Sequence, residues 1–178
     1  MLLHRSAIVL NTDMTRILVT GSSGFIGSHL VDRLIAEGFE VRLFDAKPYP
    51  YPHPEGSVFE SIIGNLSSLT QIEEAVKDCA GIVHLAAVSR VSLGHQYPLD
   101  CIATNVMGTV NLLEAARRPL IPPWIVMASS AGGTEHPCPG QNFEHLYGIS
   151  KYSAEQCAVR YSEDYGVKVL TLRFSDIY

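Results

Sequence analysis

"RILVTGSSGFIGSHLVDRLIAEG", residues 16–38, changes structural period within a single turn. Residues 16–20 are a short apolar run of strand length, whereas Ile26, Leu30 and Leu34 recur at helical spacing until Gly38 stops the helix. Between the two lies "TGSSGFIG", with glycines at 21, 24 and 27. A strand that runs straight into a helix presents unpaired backbone N–H groups at the helix N-terminus, a setting suited to a pyrophosphate. Glycines let the backbone approach the phosphates and let the helix pack on the sheet. A glycine-rich turn also serves tight packing alone, but its place in the first βαβ unit favours cofactor binding.

The same alternation continues along the chain. "EVRLFD" (40–45) reads as a second strand, followed by the Pro/Tyr-rich loop "KPYPYPHPEG", whose prolines lack ladder donors. "VFESIIG" (58–64) is a third strand, and Ser68 with Gln71 forms a capping box opening a helix over 68–79. "GIVHLAA" (81–87) and "WIVMASS" (124–130) are the fourth and fifth strands, separated by a long helix over 98–117. A helix from Tyr147 ends at Gly166, and "VKVLTLRFS" (167–175) is a sixth strand, expected to be buried because Leu170, Leu172 and Phe174 alternate with more polar neighbours. Near-continuous apolar strands alternating with helices predict an α/β fold, a doubly wound parallel sheet of about six strands with helices on both faces. Residues 14–178 form the expected domain; residues 1–13 read as a leader with no assigned fold.

The chain has 178 residues, 47% of them hydrophobic and 17% charged, enough for a single packed core. Its 13 basic and 18 acidic residues leave a net charge of −5 with no basic stripe, which argues against nucleic acid as a partner. No apolar run reaches membrane-spanning length. Cys79, Cys101, Cys138 and Cys157 form no C-x-x-C pair and read as free thiols of a cytoplasmic protein. "HPC" (136–138) near His145 matches no usual zinc spacing, so no metal is expected.

Three sets of residues carry candidate chemistry. Asp45 ends the second strand eighteen residues past Gly27, where a carboxylate accepts hydrogen bonds from ribose hydroxyls and repels a 2′-phosphate. NAD is therefore preferred to NADP, although Lys47 stands close by and Asp45 could also serve only as a strand-end cap. Tyr147 and Lys151 lie four residues apart on one helical face, where an ammonium lowers the pKa of a phenol and yields a base usable near neutral pH. The same pair arises by chance on amphipathic helices. Ser129 and Ser130 end the fifth strand, where a hydroxyl can bond a substrate oxygen as its proton leaves, or simply meet solvent.

Taken in order, these motifs resemble the NAD-dependent sugar-nucleotide epimerase/dehydratase family of extended short-chain dehydrogenases/reductases. The resemblance covers about residues 14–178 through "TGSSGFIG", "HLAA" (84–87), "NVMGTVNLLEAAR" (105–117), "SSA" and "YGISK". It implies Tyr147 as acid/base, Lys151 as the residue that holds the nicotinamide ribose, and Ser130 as the catalytic serine. It further implies NAD contacts from Gly21, Ser23, Gly24, Phe25, Ile26, Gly27, Asp45, Asn65, Leu66, Leu85, Ala86, Ala87, Asn105, Tyr147 and Lys151, with Asn105 also supporting the active-site helix. The implied substrate is a nucleotide sugar, and the implied assembly is a homodimer through the helices at 98–117 and 147–165.

Departures from the family pattern narrow the reading. Dehydratases of the family carry an Asp-Glu pair after the catalytic hydroxyl, whereas Ala131 and Gly132 cannot transfer a proton. An epimerase or reductase is thus favoured. "GGTEH" replaces the usual Val-Tyr-Gly, Asn65 replaces an Asp at the adenine, and Asp176 replaces an Asn that places the substrate. In the family the last motif leads into a smaller C-terminal lobe that grips the nucleotide sugar. The sequence stops at Tyr178, so that lobe is expected to be absent. The alternatives are an NAD-binding module without turnover and a structural role in pairing.

Overall fold

The computed structural model describes residues 15–52, 59–131 and 145–175. Six strands, β1 (Arg16–Thr20), β2 (Glu40–Asp45), β3 (Phe59–Ile63), β4 (Gly81–His84), β5 (Trp124–Ser130) and β6 (Val169–Phe174), form one sheet in the order β3-β2-β1-β4-β5-β6. Every pairing is parallel. This is the expected doubly wound, Rossmann-type sheet. The chain builds outward from β1 to β3, then returns to lay β4 against the other side of β1, so the strand order reverses between β1 and β4.

The central strands are buried on both faces, which explains their unbroken apolar sequences. Ile17, Val19, Val41 and Leu43 point to one face and pack with Val31 of α1 (Phe25–Ala36). Leu18, Phe44, Ile82 and Met127 point to the other, against α2 (Leu69–Val76), α5 (Gly108–Ala116) and α6 (Leu146–Tyr165) through Ile72, Leu112, Leu113 and Ala158. The outer strands differ. β6 pairs on one side only, and Leu170 is 57% exposed, so the sixth strand is a sheet edge rather than the buried strand its alternation suggested.

The helix expected over 98–117 is present in three pieces: α4 (Pro98–Ile102), a π turn (Ala103–Met107) and α5. A short helix before it, α3 (Val91–Gln96), escaped the sequence pattern because six residues hold too little helical period to detect. The leader over residues 1–13 and the "HPC" stretch lie outside the described residues.

One charged side chain sits inside the sheet. Arg42 of β2 is 6% exposed, and its guanidinium caps the C-terminus of α2 by donating to the carbonyls of Ala75 (2.9 Å) and Lys77 while Nε meets Glu60 (2.8 Å). The cap satisfies carbonyls that a helix end otherwise leaves without partners. Arg42→Met keeps the aliphatic stem but strands these groups, and each buried unsatisfied carbonyl costs about 1–3 kcal/mol. Urea unfolding should show a loss of about 2–4 kcal/mol; an unchanged midpoint would refute the capping role.

Candidate active site

The first turn is shaped by how closely its glycines approach other backbone. Gly21 has φ +72° and donates its N–H to Phe44 O (2.9 Å), and a Cβ there would stand 2.6 Å from Ala86 N. A Cβ on Gly27 would stand 2.1 Å from Gly21 O. Gly24 is different: a Cβ there would meet only Gly21 O, at 3.2 Å, and would otherwise project into open space. The first and third glycines therefore shape the turn, and the second keeps its outer surface clear. Gly24 is the N-cap of α1 and no side chain caps the helix, leaving its first amides directed outward.

A cleft of about 960 Å³ opens above the C-terminal ends of the strands at the reversal point. Gly21, Gly24, Phe25, Ile26 and Gly27 line it from β1 and α1. Asp45, Asn65 and Leu66 line it from the β2–β3 side, and Leu85, Ala86 and Ala87 continue β4 into its middle. Ser130, Tyr147 and Lys151 line it from β5 and α6. Residues spread over 130 positions of sequence thus converge on one space.

Two expected cofactor contacts are placed elsewhere. Ser23 is not in the cleft wall; its N–H donates to Asp45 Oδ2 (3.0 Å) and its hydroxyl to the carbonyls of Lys47 and Pro48. Asn105 is also outside the wall, 2% exposed on the π turn. Its Oδ1 accepts from Val88 N (2.7 Å), and its Nδ2 donates to Val88 O (3.1 Å) and Ser150 Oγ (2.8 Å). Ser150 Oγ in turn donates to Tyr147 O (2.7 Å). Asn105 thus clamps the β4–α3 loop to α6. Asp45 accepts from both Ser23 N and Lys47 N (3.0 Å each), so it does cap its strand end, and it also lines the cleft.

His84, which closes β4, gave no separate signal beyond its polarity in an apolar strand. It is buried between Thr20 Oγ1 (2.7 Å from Nδ1) and Thr109 Oγ1 (3.0 Å from Nε2). Thr109 donates to Asn105 O and Thr20 accepts from Ala86 N, so the ring must carry its proton on Nε2. Burial, with the charge of Lys151 as a second cause, pushes the imidazole down to about 3. His145 and Arg90 also line the cleft; the His145 ring caps α6 by accepting from Gly148 N (2.9 Å).

Burial comes first in the electrostatics of both Tyr147 and Lys151. Burial raises the Tyr147 phenol above its ordinary value, and the hydrogen bond with Ser130 opposes this. Lys151 is itself buried and pushed down to about 8, with Glu155 opposing the burial. Ser130 is the stabilising partner of the phenolate form. Among the described residues there is no cluster of potential metal ligands, and Cys79, Cys101 and Cys157 are free thiols.

A profile of the NAD dependent epimerase/dehydratase family matches residues 17–178. The chain belongs to this family. It is 31% identical over 183 residues to a 3-beta-hydroxysteroid dehydrogenase of Mycolicibacterium neoaurum, covering 95% of this chain and 49% of that protein. It is 33% identical over 175 residues to a putative UDP-glucose 4-epimerase of Methanocaldococcus jannaschii, covering 91% and 56%. Among solved structures, the Thermus thermophilus UDP-glucose 4-epimerase complex with NAD superposes with a TM-score of 0.76 at 31% identity, over 89% of this chain and 54% of that one. The chain thus spans about half the length of the relatives it matches. As a member of this epimerase/dehydratase family it is assigned NAD as its cofactor, and the glycine turn, the Asp45 carboxylate and the cleft volume suit a dinucleotide.

Two measurements check this geometry. Gly24→Val should leave thermal unfolding nearly unchanged yet weaken NAD binding at least about tenfold, roughly 1.4 kcal/mol, whereas Gly27→Val should lower the melting temperature sharply; equal effects at both positions would contradict the division of roles. For His84, the unfolded chain takes up a proton below about 6.5 while the folded one resists until about 3. Stability is therefore full above 6.5 and declines as pH falls through that window. Urea midpoints at neutral and mildly acidic pH should show a smaller acid loss in His84→Gln than in the parent chain.

Proposed function

We propose that the chain carries the cofactor-binding and proton-transfer groups of an NAD-dependent epimerase or reductase acting on a secondary alcohol of a nucleotide sugar. The observation that carries this reading is the convergence of the glycine turn, Asp45, Ser130, Tyr147 and Lys151 on one cleft at the reversal of strand order. The relatives support it: one is named for a nucleotide-sugar epimerase and another for a hydroxysteroid dehydrogenase, names that share hydride removal from a ring alcohol.

NAD supplies the hydride acceptor when bound. The outward amides at the start of α1 are suited to its pyrophosphate, and Asp45 to the adenosine ribose. Lys151 offers its ammonium to the nicotinamide ribose. Tyr147 takes the proton of the substrate hydroxyl, and Ser130 holds the same oxygen and stabilises the phenolate as the proton arrives. Ala131 carries no proton donor, which favours epimerisation or reduction over dehydration. Leu99, Met107 and Val159 expose apolar side chains on α4, the π turn and α6, and we read this face as the pairing surface of a homodimer.

Calorimetry should find NAD bound at least about tenfold more tightly than NADP, with the preference lost in Asp45→Ala. Tighter NADP binding would overturn the role of Asp45. With UDP-sugars and NAD, Tyr147→Phe should lower the rate of NADH or epimer formation by about 10²–10⁴-fold, the size of a general acid–base contribution. Turnover of a 3β-hydroxysteroid and not of any UDP-sugar would redirect the substrate class.

A further inference from the structure

We infer that Glu155 is a positioning residue that supplies the buried counter-charge for the Lys151 ammonium. The inference rests on the reading of Lys151 as a cofactor ligand given above. Glu155 lies one turn beyond Lys151 on α6, the spacing that stacks two side chains on one face. Both are buried, Lys151 at 8% exposure and Glu155 at 6%. A buried ammonium is held charged only by a paired anion, and a buried carboxylate is costly unless it is paired and hydrogen-bonded.

Arg173 of β6 meets that requirement. Its Nη2 donates to Glu155 Oε2 (2.7 Å) and its Nε to Oε1 (2.9 Å), a two-pronged grip that fixes the carboxylate in one orientation. Other ion pairs on the same helix are unlike this one: Arg160 with Glu163 and Asp164 stands in solvent, where such pairs contribute little. The result is a buried carboxylate held by Arg173 of the edge strand, one helical turn from Lys151 at the cleft. Glu155 opposes the burial that pushes Lys151 down, and Lys151 and Arg173 both favour the ionised form of Glu155.

Other titratable groups around Lys151 do not replace this carboxylate. Cys101 faces it from α4, the neutral His84 from β4 and the protonated Tyr147 from its own helix. His95 of α3 and Asp100 of α4 are exposed, and Glu114 of α5 is held by Arg117 and Arg118. Glu155 is the anion nearest in effect to Lys151 among the described residues.

The experiment follows the Lys151 ammonium directly. The chain contains four lysines, so a [13Cε]lysine-labelled sample gives few resonances, and Lys151→Arg assigns the one of interest. In Glu155→Gln the Lys151 midpoint should fall by at least about one pH unit, the effect of losing an adjacent opposite charge. In Arg173→Leu it should rise, because the carboxylate is then shared with no other cation. NAD affinity in Glu155→Gln should begin to fall at a lower pH than in the parent chain, and Glu155→Asp should restore part of the difference. A merely structural salt bridge would lower the melting temperature of both variants without moving the midpoint in opposite directions, and unmoved midpoints overturn the inference. If Glu155→Gln does not fold, the direction of the Arg173→Leu shift decides. The two readings fail separately: undiminished NAD binding by Lys151→Met would reject Lys151 as a cofactor ligand and leave the midpoint shifts standing.

Discussion

The carbonyl oxygen of Gly21 stands where a Cβ on residue 27 would be, 2.1 Å away, so α1 can start where it does only with glycine at that position. That close approach sets how α1 starts over β1, with the uncapped first turn of the helix, Gly24 to Gly27, lining the cleft. Gly21 adds a second constraint. Its positive φ and its N–H bond to Phe44 O fix the turn beside β2, and the space a side chain would need is occupied by the Ala86 backbone leaving β4. The first turn is thus wedged between the two strands that flank β1. The reversal of strand order leaves a crevice at that point, and the candidate site occupies it.

A buried polar chain joins this turn to the candidate catalytic helix. It runs from Ala86 N through Thr20, His84 and Thr109 to Asn105, then through Ser150 to the backbone of Tyr147. Every hydroxyl in it both donates and accepts, and a network so satisfied adds specificity without leaving an orphaned group. It joins the glycine-turn side of the cleft to the side lined by Tyr147 and Lys151. Lys151 and Tyr147 stand at the end of that polar chain in a desolvated setting, where burial pushes the ammonium down to about 8 and the phenol up.

Much of this was legible in the sequence because parallel sheets and glycine turns leave strong local patterns. The strands over 16–20, 40–45 and 124–130 carry apolar residues on both faces, and the structure places them at those boundaries. The long helix was legible in extent, but its π turn was not, since a one-residue change of register leaves the apolar pattern almost intact. The burial of β6 was misread for a different reason: alternation in sequence reports two faces, not whether a neighbouring strand or helix covers both. Motif membership does not record which way a side chain turns, Asn105 toward Val88 and Ser150 and Ser23 toward Lys47 and Pro48. For Tyr147, helical spacing gives proximity to an ammonium, whereas the burial that raises the phenol is visible only in three dimensions. Glu155 and Arg173 lie eighteen residues apart and belong to different elements, so their pairing appears only in three dimensions.

The central claim is that the cleft above the reversal point holds the dinucleotide, with its adenosine end toward Asp45 and its nicotinamide end toward Tyr147. Titrating the 15N-labelled chain with NAD while following backbone amide resonances tests this most directly. The account predicts saturable shifts concentrated at Gly21–Gly27, at Asp45 and Leu66, at Leu85–Ala87 and around Tyr147 and Lys151. Saturable shifts confined to the outer faces of α2 or α5, with the amides of Gly21–Gly27 unmoved, would contradict it.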